Sequence, residues 1–177
     1  GKYWSYYIGQ RVAYADFRDI AVEIKDEVES YPLGSVLSGF SFDNTDSAIW
    51  PTKGLKADFS LEGGHALSPF LKGRFEGVSY WNFWRKFVSA TSVQFEGFPG
   101  NPENIGLTER VFLGGMHDLR GFRYRSIGPE FEGDDSISRG GSAKAVIRQE
   151  VRFPIYKKLR GHVFCDTGTI ADESFSF

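Results

Sequence analysis

The sequence predicts an all-β chain of antiparallel strands, and three observations carry that prediction. Apolar and polar residues alternate with period 2 along most of its length, the spacing that sends them to opposite faces of a strand. Aromatic residues make up 16% of the 177 residues and glycine occurs 21 times, a mixture of strand formers and turn formers. No convincing helical stripe is present, and no run approaches the ~18 consecutive apolar residues of a transmembrane helix.

Seven strands follow in order. In 2–15, Trp4, Tyr6, Ile8, Val12 and Tyr14 share a face, and in 35–43 Val36, Phe40 and Phe42 do the same. The cleanest alternation is 55–63, where Leu55, Ala57, Phe59 and Leu61 oppose Lys56, Asp58, Ser60 and Glu62. Strand 70–80 runs into Tyr80, Trp81, Phe83 and Trp84 around a short turn at 82–85. In 86–98, Phe87, Val93 and Phe95 oppose Lys86, Ser92, Gln94 and Glu96. In 143–153, Ala145, Ile147, Val151 and Phe153 oppose Lys144, Arg148, Glu150 and Arg152. In 161–171, Val163 and Cys165 alternate with Phe164 and Asp166. The connections 44–54, 82–85 and 154–160 are short or moderately short. Those at 16–34, 64–69 and 99–142 lie at the other end of the strands, and two of them are long.

Two architectures alternate in this way: a soluble sandwich and a transmembrane barrel. Several full charges on each polar face, with large apolar side chains spaced by small residues on the other, favour a lipid-facing wall around a wet lumen. The strands match the ~9–11 residues that cross a bilayer at a tilt, and the aromatics at 80–84 suit an interfacial girdle. The mean hydropathy of −0.32 decides nothing, because alternating strands average out.

Other classes lose support. A net charge of −2 offers no basic footprint for nucleic acid. Cys165 is the single cysteine, so no internal disulfide exists. His65, His117 and His162 have no metal-ligand spacing, and no nucleophile–base pair is visible. The expectation is therefore no catalytic residue, no metal and no cofactor.

The 99–142 connection is too long for an ordinary turn, which usually signals function or disorder. It contains Phe112-Leu113-Gly114-Gly115-Met116-His117-Asp118-Leu119-Arg120-Gly121-Phe122, then Ile127-Gly128-Pro129. Its glycines permit sharp turns. Asp118 is expected to cap a turn, Leu119, Phe122 and Tyr124 to pack the loop, and Glu132, Asp134 and Asp135 to form a solvated acidic tip. Arg120 is either a solvated loop residue or a charge directed at carboxylates.

These residues resemble the signature loop of the outer-membrane assembly and translocation superfamily, whose members carry periplasmic POTRA domains. Leu119-Arg120-Gly121-Phe122 after Gly114-Gly115 matches the family tetrad, and Ile127-Gly128-Pro129 its continuation. Asp43-Asn44-Thr45-Asp46 followed by Pro51-Thr52-Lys53-Gly54 resembles the family's periplasmic turn, with Thr45 where arginine is usual. Glu150 to Pro154 and Phe164 to Gly168 resemble the two strands after the loop.

The resemblance implies a partial antiparallel transmembrane β-barrel over 1–177, about seven of an expected sixteen or so strands, with loop 99–142 entering the lumen. By that count the chain holds neither the POTRA domains nor the first and last barrel strands. The resemblance places Arg120 against Asp166, Glu150 or both. It implies a place in the outer membrane of a Gram-negative-type bacterium and insertion of other β-barrel proteins. Expected partners are outer-membrane lipids, nascent β-barrel clients, and periplasmic and lipoprotein assembly subunits. The alternatives are a two-partner secretion translocator exporting a β-helical substrate and, in a different class, a soluble β-sandwich binding module.

Overall fold

In the computed structural model, residues 3–17, 30–84, 86–131, 134–157 and 159–172 are described. Strands β1 (Trp4–Ala15), β2 (Tyr31–Asp43), β3 (Gly54–Ala66), β4 (Ser68–Trp84), β5 (Phe87–Gly97), β8 (Ala143–Tyr156) and β9 (Leu159–Ala171) form one sheet in chain order, every neighbouring pair antiparallel. A separate two-stranded hairpin, β6 (Glu130–Phe131) and β7 (Asp134–Ser138), lies within the long connection.

The two faces of this sheet reverse the usual arrangement of a soluble protein. The outward face carries Tyr6, Ile8, Tyr14 and Val163 exposed, with Val12 88% exposed. The inward face buries polar groups: Ser35, Ser60, Ser92 and Lys144, with Gln94 only 2% exposed. A soluble sandwich would bury the row that is open here. An apolar row that meets no protein, backed by a polar row that does, is a wall with lipid outside and a wet lumen inside. The fold is a partial transmembrane β-barrel, and the sandwich alternative fails on this point.

Several strands run further than the alternation suggested. Residues 64–69 are no loop: β3 continues to Ala66 and β4 begins at Ser68, leaving Leu67 alone at the turn with φ +53°. Gly64, at the start of the expected loop, serves packing instead. A Cβ on Gly64 would stand 2.5 Å from the Gly34 carbonyl oxygen and 2.6 Å from the Ser35 Cβ of β2. Strand β2 starts at Tyr31, with Pro32 near its end, where a missing N–H costs the ladder little.

The connection from Phe98 to Ser142 is also not structureless. Besides the hairpin, it contains two single 3-10 turns, Pro102–Asn104 and Leu107–Glu109. Asn101 caps the first by accepting the Glu103 N–H at 2.8 Å. The loop is moored at its base, where Phe98 N donates to Ser142 O at 3.0 Å and Ser142 N to Ala171 O at 2.9 Å. Its Phe98, Ile105 and Val111 then join Tyr31, Leu33, Ala66 and Phe70 in the main apolar cluster. This cluster sits at the loop end of the sheet and holds the loop over the inward face.

Candidate functional site

The centre of the loop is a compact turn carrying Arg120. Val111 bridges Gly141 and Leu113 bridges Ile127, so the limbs on either side of the turn are tied by ladder hydrogen bonds. Gly114 makes the fold possible. Its φ is +110°, and a Cβ there would stand 2.6 Å from the Arg123 carbonyl oxygen. Gly115, Gly121 and Gly128 also take positive φ, while Pro129 accepts hydrogen bonds at its carbonyl from Arg139 N and Ser138 Oγ. Leu119 is buried against Leu113 and Val146, with Ile127 and Ile170 packed alongside. Phe122 and Tyr124 are exposed, contrary to the expectation that they pack the loop; Leu119 alone of the three does so. Burying Leu119 aims the next side chain at β8 and β9.

Register explains what Arg120 finds there. Arg148 pairs with Asp166 and Glu150 with Phe164, so Glu150, Asp166 and Phe164 crowd one patch of the inward face. The Arg120 guanidinium donates to Asp166 through Nε (2.8 Å) and Nη2 (2.7 Å), and to Glu150 through Nη1 (2.9 Å). The Arg120 backbone N–H adds a bond to Asp166 Oδ2 at 3.1 Å. The paired bonds to Asp166 match the planar fork of arginine to a carboxylate. The Phe164 ring lies 3.7 Å below the guanidinium carbon, a cation–π contact that closes the remaining face. Glu150 also accepts from Arg152 Nε at 2.6 Å, so it is shared between loop and wall.

A second cluster fixes the loop's first limb. Glu109 is wholly buried, and its carboxylate meets Arg11 Nη2 at 2.6 Å and Lys72 Nζ at 3.3 Å. Thr108 Oγ1 donates to it at 3.1 Å, and the Thr108 N–H donates to the Tyr31 hydroxyl at 2.9 Å. Burial by itself would raise this carboxyl's pKa; the Lys72 ammonium and the Arg11 guanidinium outweigh it and hold the group below its ordinary range. Sequence reading missed Glu109, which lies in no strand and no motif.

A third contact corrects the role expected of Asp118. Rather than capping a turn, its carboxylate accepts from the buried Lys144 Nζ at 2.9 Å. Lys144 also donates to the Phe112 carbonyl at 3.0 Å and approaches Glu96 at 3.5 Å. Of the expected acidic tip, Glu132 lies outside the described residues, and Asp134 and Asp135 are described only as backbone of β7.

At the opposite end of the strands, the 44–53 turn is built on side-chain caps. Asp43 accepts the Thr45 N–H and hydroxyl at 2.9 and 2.7 Å, so Thr45 binds locally where the family's arginine would stand. Asp46 accepts the Thr52 hydroxyl at 2.6 Å and the Thr52 and Lys53 N–H groups at 2.7 and 3.1 Å. These bonds, the Thr52 hydroxyl first, hold its pKa down to about 2. Gly54 has φ +109°, while Pro51 is half-buried beside Trp50. Among the described residues, no group of His, Cys, Asp and Glu could hold a metal ion.

Together, the inside-out sheet and the ion-paired loop across its inward face define an outer-membrane β-barrel domain with an anchored inner loop. The Omp85 superfamily domain model matches residues 2–177, and the chain belongs to that superfamily. It is 28% identical over 152 residues to the outer membrane protein assembly factor BamA of Neisseria meningitidis serogroup B, which covers 76% of this chain and 18% of that protein. A SAM50-like protein of Schizosaccharomyces pombe is 30% identical over 146 residues, covering 75% of this chain and 30% of the relative. The crystal structure of BamA from Haemophilus ducreyi lacking POTRA domains 1–3 superposes with a TM-score of 0.74 at 19% identity, over 96% of this chain and 39% of that one. The chain thus spans less than a third of either curated relative.

Proposed function

We propose that residues 1–177 form part of the barrel of a protein that inserts and folds other β-barrel proteins in the outer membrane. The observation that carries this reading is the loop held across the inward face by Arg120, Asp166 and Glu150. It is one of four ordered motifs on which the resemblance to assembly factors rests, and the Neisseria relative is named an outer membrane protein assembly factor. The loop between Phe98 and Ser142 enters the lumen and fixes the inner wall. POTRA domains and the remaining strands belong to the parent protein.

The mechanism involves no covalent chemistry. The parent barrel lowers the barrier to insertion by offering an edge strand as a template and by disturbing the nearby bilayer. Templating suits clients that are themselves strands, because an unpaired edge in lipid has no other partner for its N–H and C=O groups. Its partners are outer-membrane lipids, unfolded barrel clients and periplasmic assembly subunits.

Reconstitution of the full-length protein in liposomes tests this directly. Folding of an added unfolded barrel client is expected to accelerate over protein-free liposomes. Unchanged client folding, with passage of a β-helical substrate through the lumen, would assign the protein to two-partner secretion instead.

A further inference from the structure

We infer that the turn end of the inward face carries a docking site for an acidic peptide segment. This goes beyond the assembly role and holds for insertase and translocator alike. A cavity of about 280 Å³ lies there, bordered by Trp50, Lys86, Arg152, Lys157 and Arg160 among others, and among the described residues no carboxylate lines it. Trp50 is the organising residue. The Arg160 guanidinium lies 4.3 Å from its ring centre and that of Arg152 lies 5.1 Å away. Two like charges are thus gathered on one aromatic surface instead of spreading apart. Among the described residues, Arg152 has one carboxylate partner, Glu150, already shared with Arg120. Among the described residues, no carboxylate forms an ion pair with Lys86, Lys157 or Arg160. Asp46, in the same turn as Trp50, is spent on Thr52 and Lys53.

Four cations bordering one cavity, with one shared counter-charge among the described residues, repel one another, and a visiting anion relieves that repulsion. The face decides which anion. Arg152 lies two residues from Glu150 on the inward row, across the wall from the apolar row that meets lipid. A bilayer headgroup approaches the other side, whereas an extended chain entering at the turn end reaches this one. Trp50 adds an apolar platform that a small inorganic ion would not use.

The test is a titration of the full-length protein, in zwitterionic detergent, with fluorescein-labelled hexaglutamate. Saturable binding is expected, weakened by added salt and about tenfold weaker in the Lys86→Gln/Arg160→Gln double variant. The Arg74→Gln variant, which removes a β4 cation outside the cavity, should bind within about twofold of wild type. Absence of saturable, salt-sensitive binding in the wild type would overturn the inference without reference to any variant. So would equal weakening in Arg74→Gln, or binding of phosphatidylglycerol vesicles or inorganic phosphate in place of the peptide.

Discussion

Arg120 and Glu109 belong to one loop, carry opposite charges, and are held by opposite halves of the same sheet. Arg120 brings a cation to carboxylates on β8 and β9; Glu109 brings an anion to cations on β1 and β4. Glu109 is fully buried, whereas the Arg120 side chain keeps 23% of its exposure. The loop therefore works as a strut: its two charged contacts grip β1–β4 and β8–β9, and Leu119 and the Tyr31 cluster fill the space between. The contacts differ in what remains when one partner is removed. Without Arg120, Asp166, only 4% exposed, loses all its bonds from that residue's side chain. Without the Glu109 charge, Arg11 still has Glu62 at 2.7 Å.

That difference orders the expected effects. Arg120→Ala in the full-length protein should cost about 3–5 kcal/mol, because it strands a buried carboxylate. Urea unfolding in detergent would measure it, and a wild-type midpoint would break the comparison. Glu109→Gln should cost about 1–3 kcal/mol, since the amide keeps the shape and part of the hydrogen bonding while Lys72 loses its ion pair. A loss larger than that of Arg120→Ala would reverse the ranking.

The smallest effect lies in the 44–53 turn. The Asp46 carboxyl is held down to about 2 from an ordinary 3.8. A depressed carboxyl contributes its stabilisation above the ordinary value and loses it as pH falls through the folded value. The Thr52 and Lys53 amide shifts, followed by NMR in acid, should therefore move with a midpoint near 2; a midpoint near 4 would show that the cap does not form.

The same pair of contacts marks what could be read from sequence. The faces of the strands were legible because period 2 is local, and parity alone put Glu150 on the charged row. Arg120 and Asp166 stood out through short motifs, and the structure sets them in contact. Glu109 had no such signal. Its partners lie 98 and 37 residues away, and no periodicity links a loop acid to two strand cations. One clue was present but silent: Val146 is an apolar residue in the charged row of β8, and it is where Leu119 docks. Phe164 likewise is an apolar residue in the row of Asp166, and the guanidinium above it supplies the reason. Gly64 was misleading, because glycine marks a close strand approach as readily as a turn.

The central claim is that Arg120 and Asp166 act as one unit in holding the loop to the wall. A double-mutant cycle in the full-length protein tests it, with charge reversal at each position separately and then together. The account predicts partial rescue in the double reversal, with a coupling above about 1 kcal/mol; strictly additive losses would contradict it.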